Sequence, residues 1–176
     1  MYIWKMRERI EQAIRADAEE LSRLINGAYR GESSKAGWTT EADFLDGTRT
    51  DTASILDLMD HSGTTLLKYM NDDAIVGCIE LRVENQKLYI GMLTVHPNLQ
   101  GKGVGKKLLA RAEKEALSRR CISIYMTVLS VRTELIDWYL RNGYELTGDR
   151  KPFDFKDPVF GKPKISLEFV VLEKKL

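Results

Sequence analysis

The sequence contains only two cysteines, two histidines and four prolines in 176 residues, and its formal net charge at pH 7 is +1. Each scarcity excludes something. Cys78 and Cys121 stand far apart in apolar, strand-like stretches, with no CxxC pair and no histidine at ligand spacing, so neither a disulfide framework nor a thiolate metal site organises the chain. Both thiols are expected to be buried and reduced. His61 and His96 show no ligand pattern, and no metal site is legible. A near-neutral chain has no bulk positive field for phosphate backbones, which argues against nucleic acid as a partner. No apolar run could span a bilayer, and MYIWKMRERIEQ lacks the apolar centre of a signal peptide. No membrane partner is expected, and a cytoplasmic location is the default.

What is present is ordinary for a soluble globular chain: 43% apolar and 30% charged residues. The length suits one domain, residues 1–176, with a substantial core. Residues 2–11 read as an exposed first strand. Asp17 is placed to cap a helix on which Ala18, Leu21, Leu24, Ile25 and Ala28 recur at helical spacing. GESSKAGWTTEADF reads as a loop entering a short helix, with Thr40 and Asp43 set like a capping box. Another short helix starts near Thr52 and stops at Gly63. TTLLKYM, AIVGCIELRV and KLYIGMLTV follow as strands joined by NDD and ENQ turns that suit hairpins. After a glycine-rich stretch come a helix, the strand CISIYMTVL, a helix from Glu134 to Arg141, the strand GYELTG and a last strand, ISLEFVVLE. Early hairpins and later strand–helix–strand crossovers predict an α/β (α+β) fold. Its sheet is mixed, mostly antiparallel and roughly seven-stranded, with helices on both faces.

The stretch VHPNLQGKGVGKKLL (95–109) sits where a strand hands over to a helix and holds Gly101, Gly103 and Gly105 beside Lys102, Lys106 and Lys107. A Walker loop does not fit: Gly101 to Gly105 is one residue short, and Lys107 stands where a hydroxyl belongs. A dinucleotide fingerprint fails because Lys106 occupies its third glycine position. The shared physics remains. Alternating glycines bring backbone N–H groups close to a ligand, and a helix starting near Val104 adds unpaired amides and the positive end of its dipole. A diphosphate suits such a site, with Gln100, Lys102 and Lys106 extending the donor set.

On these residues the chain resembles the GNAT superfamily of acyl-CoA-dependent N-acyltransferases. Val95 and Pro97 precede Gln100, Gly103 and Gly105 in the family's [Q/R]-x-x-G-x-[G/A] pattern, and Tyr139, Gly143 and Tyr144 resemble its Y-x-x-x-G-[FY] element. The likeness in element order covers about residues 2 to 174. The resemblance implies acetyl-CoA as co-substrate, with its pyrophosphate on the backbone of Gln100, Gly101, Lys102, Gly103, Val104, Gly105 and Lys106. The pantetheine arm would pair along Leu93, Thr94 and Val95, where this strand and the one from Ile122 to Val128 splay apart. An N–H near Leu93 would face the thioester oxygen, and Tyr139 would protonate the leaving thiolate.

Two positions depart from the pattern. Arg132 stands where many relatives have an Asn, and could reach phosphates or simply be solvated. Tyr89, Ile90, Gly91 and Met92 supply no carboxylate where many relatives carry a Glu on the strand before the loop. An alkylamine of pKa ~10.4 is neutral in only ~1 of 2,500 molecules at pH 7, a handicap of roughly 4.6 kcal/mol, so some base is needed; Glu32, Glu41 and Asp43 are candidates. The acceptor side is expected to draw on YRGESSKAGWTTEADF and KPFDFKDPVFGKPK, with Tyr29, Trp38 and Glu41 as substrate-binding residues and Phe153, Phe155 and Phe160 as further aromatic walls. YRGESSKAGWTTEAD is similar to a segment of bacterial GNAT-like proteins of unassigned substrate. Three readings stand: an acetyl-CoA-dependent N-acetyltransferase of a small primary amine, a catalytically silent acyl-CoA-binding sensor or scaffold, and an acetyltransferase of proteins or peptides. A homodimer is an open option.

Overall fold

Two tight turns set the register of the central strands. Asp72, and Asn85 with Gln86, take left-handed φ values of 53°, 48° and 61°, a region that short polar residues tolerate best after glycine. They fold three apolar stretches into an antiparallel meander, in a computed structural model that describes residues 7–154 and 160–176. In chain order the elements are β1 (Glu8–Gln12), α1 (Ala18–Tyr29), α2 (Gly31–Ser34), β2 (Leu45–Asp46), α3 (Thr52–Asp60), β3 (Thr64–Asn71), β4 (Ala74–Glu84) and β5 (Lys87–Val95). They continue with α4 (Val104–Ser118), β6 (Ser123–Leu129), α5 (Thr133–Arg141), β7 (Glu145–Pro152), β8 (Lys162–Pro163) and β9 (Glu168–Lys175).

Seven strands form one mixed sheet in the order β1-β3-β4-β5-β6-β9-β7, and only the β5–β6 pairing is parallel. Strand alternation divides the core. Leu67 and Tyr69 point to the face covered by α4, whose Val104, Leu108, Leu109, Ala112 and Ala116 are buried. Leu66 and Met70 point to the face covered by α1 and α3, with Leu21, Ile25 and Ile55 fully buried there. The expected architecture, with helices on both faces, is therefore what forms. Cys78 and Cys121 are buried and free. Among the described residues no helix is long and apolar enough to cross a membrane, and no group of His, Cys, Asp or Glu could hold a metal.

Three local expectations need correction. No helix follows Thr40; Thr40 Oγ1 accepts instead from the Ala42 amide at 3.2 Å and meets Ser34 Oγ at 2.6 Å, closing a turn, while the helical turn lies earlier, over α2. Asp17 precedes α1 without capping it. Its Oδ2 accepts from the Ile14 amide at 2.7 Å and from Lys68 Nζ at 2.8 Å, because Lys68 is buried on β3 and a buried ammonium requires a counter-charge. The β2–β8 pair was not foreseen; two residues per strand leave no periodicity to read. The first strand is described only from Glu8, and Phe155 lies outside the described residues.

Two irregularities in β5 prepare the site. Cys78 pairs with Thr94 but Glu80 pairs with Gly91, so β5 carries one extra residue, a bulge at Met92–Leu93 with Met92 at φ 46°. On its other side β5 pairs with β6 only from Lys87 to Tyr89. Beyond Tyr89 the two strands part.

Candidate active site

The glycine loop closes on the end of β5. Gly101 and Gly103 adopt φ values of 77° and 85°, and a β carbon built at either would meet nothing within 4 Å. Their requirement is conformational, not spatial. Gly103 caps α4 without a side chain, and Lys107 is the first amide to find a helical carbonyl, that of Gly103 at 3.0 Å. Among the described residues the amides from Gly101 to Lys106 have no backbone acceptor. Six consecutive unpaired donors at a helix start form a nest for an anion.

Side chains near the loop are arranged differently from expectation. Gln100 is engaged: its Oε1 accepts from the Trp38 amide at 2.8 Å, and its Nε2 donates to Thr39 Oγ1 at 2.8 Å and to the Val95 carbonyl at 3.1 Å. It fastens the 37–39 loop over the site, and Gly37 is what leaves it room, since a β carbon there would lie 2.4 Å from Gln100 Oε1. Lys107 turns away to Glu8 and to the Tyr69 hydroxyl, so the basic patch reduces to Lys102 and Lys106. Val104 is buried in the core, leaving only its backbone to the loop.

Above the loop lies a cavity of about 470 Å³, walled by Leu93, Val95, Gly101, Gly103, Gly105 and Lys106 on one side and by Trp38, Leu135, Trp138 and Tyr139 on the other. At Gly105 a β carbon would touch the Trp138 indole at 3.4 Å, so the ring lies directly on the first turn of α4. Trp38, expected on the acceptor side, stands here instead, its ring centroid 6.3 Å from that of Trp138. Thr94 does not reach this wall; it is buried, and its hydroxyl donates to the Met92 carbonyl at the bulge.

A second cavity, about 360 Å³, opens on the other side of β5, and Tyr29, Leu93, Leu135 and Tyr139 line both. The Tyr29 hydroxyl donates to the Leu93 carbonyl, and burial pushes its pKa up to about 12. Tyr139 is held between Trp138 and Tyr144, at ring-centroid distances of 5.0 and 5.7 Å. Its hydroxyl makes no hydrogen bond among the described residues. Burial first, then the neighbouring Tyr29 and Tyr144, raise its pKa well above that of a free phenol.

The second cavity is charged. Glu41 sits in its wall with both oxygens occupied, accepting from Arg30 Nε and from Arg132 Nη1, each at 3.2 Å, and all three side chains are at most 10% exposed. Arg132 also donates to the Thr39 carbonyl at 2.8 Å. It therefore neither reaches phosphates nor lies in solvent. The missing carboxylate comes from the adjacent strand. Glu80 on β4 is 5% exposed and reaches across β5 where Gly91 lacks a side chain; a β carbon at Gly91 would lie 2.3 Å from Glu80 Oε2. Desolvation raises the Glu80 pKa, opposed by the charges of Arg82 and Arg49. Arg82 Nη1 is 3.3 Å from Glu80, and its guanidinium lies 4.6 Å over the Tyr89 ring. Reading one strand at a time missed Glu80; the glycine opposite it was the available signal.

The acetyltransferase (GNAT) family profile matches residues 18–144. The chain is 29% identical over 82 residues to the acetyltransferase Atu2258 of Agrobacterium fabrum, an alignment spanning 47% of this chain and 58% of that protein. Its fold is similar to that of yncA, a putative acetyltransferase from Salmonella typhimurium solved with its cofactor acetyl-CoA (TM-score 0.66, 24% identity, 96% of this chain and 94% of that one). It is also similar to the ribosomal-protein-S18-alanine N-acetyltransferase of Escherichia coli (TM-score 0.70, 10% identity, 96% and 94%). With a family match across most of its length, on a sheet that parts at a bulged strand above a glycine-loop helix, the chain belongs to the GNAT family of acetyltransferases.

Proposed function

We propose that the protein transfers an acetyl group from acetyl-CoA to a primary amine of a small molecule, by direct attack in a ternary complex. The observation that carries this reading is the shared wall: one cavity floored by unpaired amides and another lined by charged groups meet at Leu93 and Tyr139. The amides of 101–106 are the donors a diphosphate needs, and the end of β5 at Leu93 and Val95, which walls the same cavity beyond the β5–β6 pairing, suits the extended arm. Bound acetyl-CoA supplies the thioester that the amine attacks.

Glu80 receives the amine's proton, directly or through water. Its raised pKa narrows the gap to the amine, each unit lowering the handicap by about 1.36 kcal/mol. The backbone N–H at Leu93 faces the thioester oxygen, a contribution of about 3–4 kcal/mol where such donors are well placed. Tyr139 remains protonated through the alkaline range, and the same elevation opposes full transfer to sulfur. It acts chiefly by donating a hydrogen bond to the departing thiolate, which is worth about 1.5–3 kcal/mol for a charged acceptor. Glu41, with both oxygens held by arginines, serves as a fastening for the acceptor wall instead of a base or substrate ligand.

A catalytically silent binder needs no base, whereas the second cavity holds the buried carboxylate of Glu80. Thermal unfolding with acetyl-CoA, followed by thiol release on adding amines, tests the proposal. A ligand at 100 times its Kd adds about 2.7 kcal/mol of stability; indifference to millimolar acetyl-CoA would sink it.

A further inference from the structure

Charge pairing in the second cavity leaves one group over. Glu41 is matched by Arg30 and Arg132, and Glu80 by Arg82, which also holds Glu84 at 2.6 Å. Arg49 lines the same cavity, and among the described residues its guanidinium makes no hydrogen bond and no ion pair. Its charge is nevertheless felt inside, favouring the ionised form of Glu80.

The backbone that carries Arg49 is tied down. Asn26 Oδ1 on α1 accepts from the amides of Arg49 and Thr50 at 2.7 and 3.1 Å, and Asn26 Nδ2 donates to the Thr50 carbonyl at 2.9 Å. Just before it, Arg30 Nη1 donates to the carbonyls of Gly47 and Thr48, each at 3.3 Å. A half-buried cation on a fastened loop, facing a cavity without a counter-ion, is an arrangement that favours an anionic ligand.

Resting on the acetyl-transfer reading above, we propose that the acceptor is an amino carboxylate, an amine and a carboxylate on one small molecule, and that Arg49 binds the carboxylate while Glu80 receives the amine's proton. The excess positive charge disfavours a simple cationic amine. A zwitterion brings its own anion, and a guanidinium can hold that carboxylate through two parallel hydrogen bonds. Fixing the carboxylate at Arg49 orients the amine toward the shared wall.

The test measures initial rates of acetyl-CoA-dependent acetylation for the twenty amino acids, the amide of each, and phosphoethanolamine. Wild type, Arg49→Met and Arg49→Lys are compared. The wild type is expected to prefer at least one amino acid over its amide by tenfold or more in kcat/KM. Measured at a pH high enough to keep Glu80 ionised in every variant, Arg49→Met should raise KM for that amino acid at least tenfold with a smaller change in kcat, change the KM of the amide far less, and be partly rescued by Arg49→Lys. An unchanged acetyl-CoA-induced thermal shift in both variants verifies the fold. Preference for the amide or for phosphoethanolamine, an equal loss on acid and amide in Arg49→Met, or no turnover of any amino acid by a wild type that binds acetyl-CoA would each overturn the assignment of Arg49. The last leaves the acetyl-CoA site standing, whereas failure to bind acetyl-CoA overturns the underlying reading as well.

Discussion

The two cavities on either side of β5 are built from different materials. The one above α4 is made of backbone: glycines with left-handed φ, unpaired amides and a parted strand, closed by the indoles of Trp38 and Trp138. The one beyond Tyr139 is set by side chains from separate elements and loops, among them the charged groups Arg49, Glu80, Arg82, Glu41 and Arg132, of which all but Arg49 are paired. A backbone site presents the same amides whatever residues flank it, which suits a donor shared by a whole family. A side-chain site changes with each substitution, and acceptor choice can diverge there without disturbing the donor.

That contrast can be broken at several points. Glu80→Gln should act on the charged side alone, lowering kcat/KM by about 10²–10⁴-fold, the usual range for a general base, with acetyl-CoA binding unchanged. Because desolvation raises the Glu80 pKa, activity should fall with decreasing pH through a limb above the ordinary carboxylate range, and Glu80→Gln should abolish that limb. The sign for stability is opposite: a carboxyl with a raised folded pKa favours folding at low pH and loses that contribution as pH rises through it. A pH–rate profile of wild type and variant reads the first, and urea unfolding at several pH values reads the second.

Glu41→Ala should leave two buried guanidiniums without their carboxylate and destabilise the fold by about 3–5 kcal/mol, measurable by urea unfolding. A loss near zero would mean that the triad is wetter than its burial implies. Tyr139→Phe should lower kcat by a factor corresponding to about 1.5–3 kcal/mol with Kd for acetyl-CoA intact, as steady-state rates and calorimetry would reveal. On the backbone side, Gly103→Ala forces a β carbon into left-handed φ, costing about 1–2 kcal/mol of stability, and should weaken acetyl-CoA binding. Removing the exposed Lys102 and Lys106 together should weaken it by only about 0.3–1 kcal/mol each. If the lysine pair mattered more than Gly103, the donor cleft would not be a backbone site.

How far each region could be read follows from the same difference. The sheet meander was legible because turn residues such as Asp72 and Asn85 punctuate strongly apolar runs, and the helix from Val104 because its buried residues recur with helical spacing. The donor loop was legible because left-handed backbone and close approach require glycine, a demand visible in one chain segment. Gln100 was legible as a motif residue but not in its occupation, since its partners at Trp38 and Thr39 lie some sixty positions earlier.

The charged side was largely illegible. Glu80 belongs to β4 and acts through a gap in β5, so neither strand read alone discloses it. Glu41 looked like a free carboxylate because its arginines are 11 and 91 residues away.

Sequence alone settled the order of the seven sheet strands and the longer helices, the mixed sheet and the glycine loop, because each depends on local backbone preference and on the spacing of apolar residues. Tertiary structure alone decided which carboxylate is available, which arginine is left without a partner and which cavity holds Trp38. Those outcomes depend on charge pairing and burial between distant segments, and a charge has no partner until the chain has folded around it.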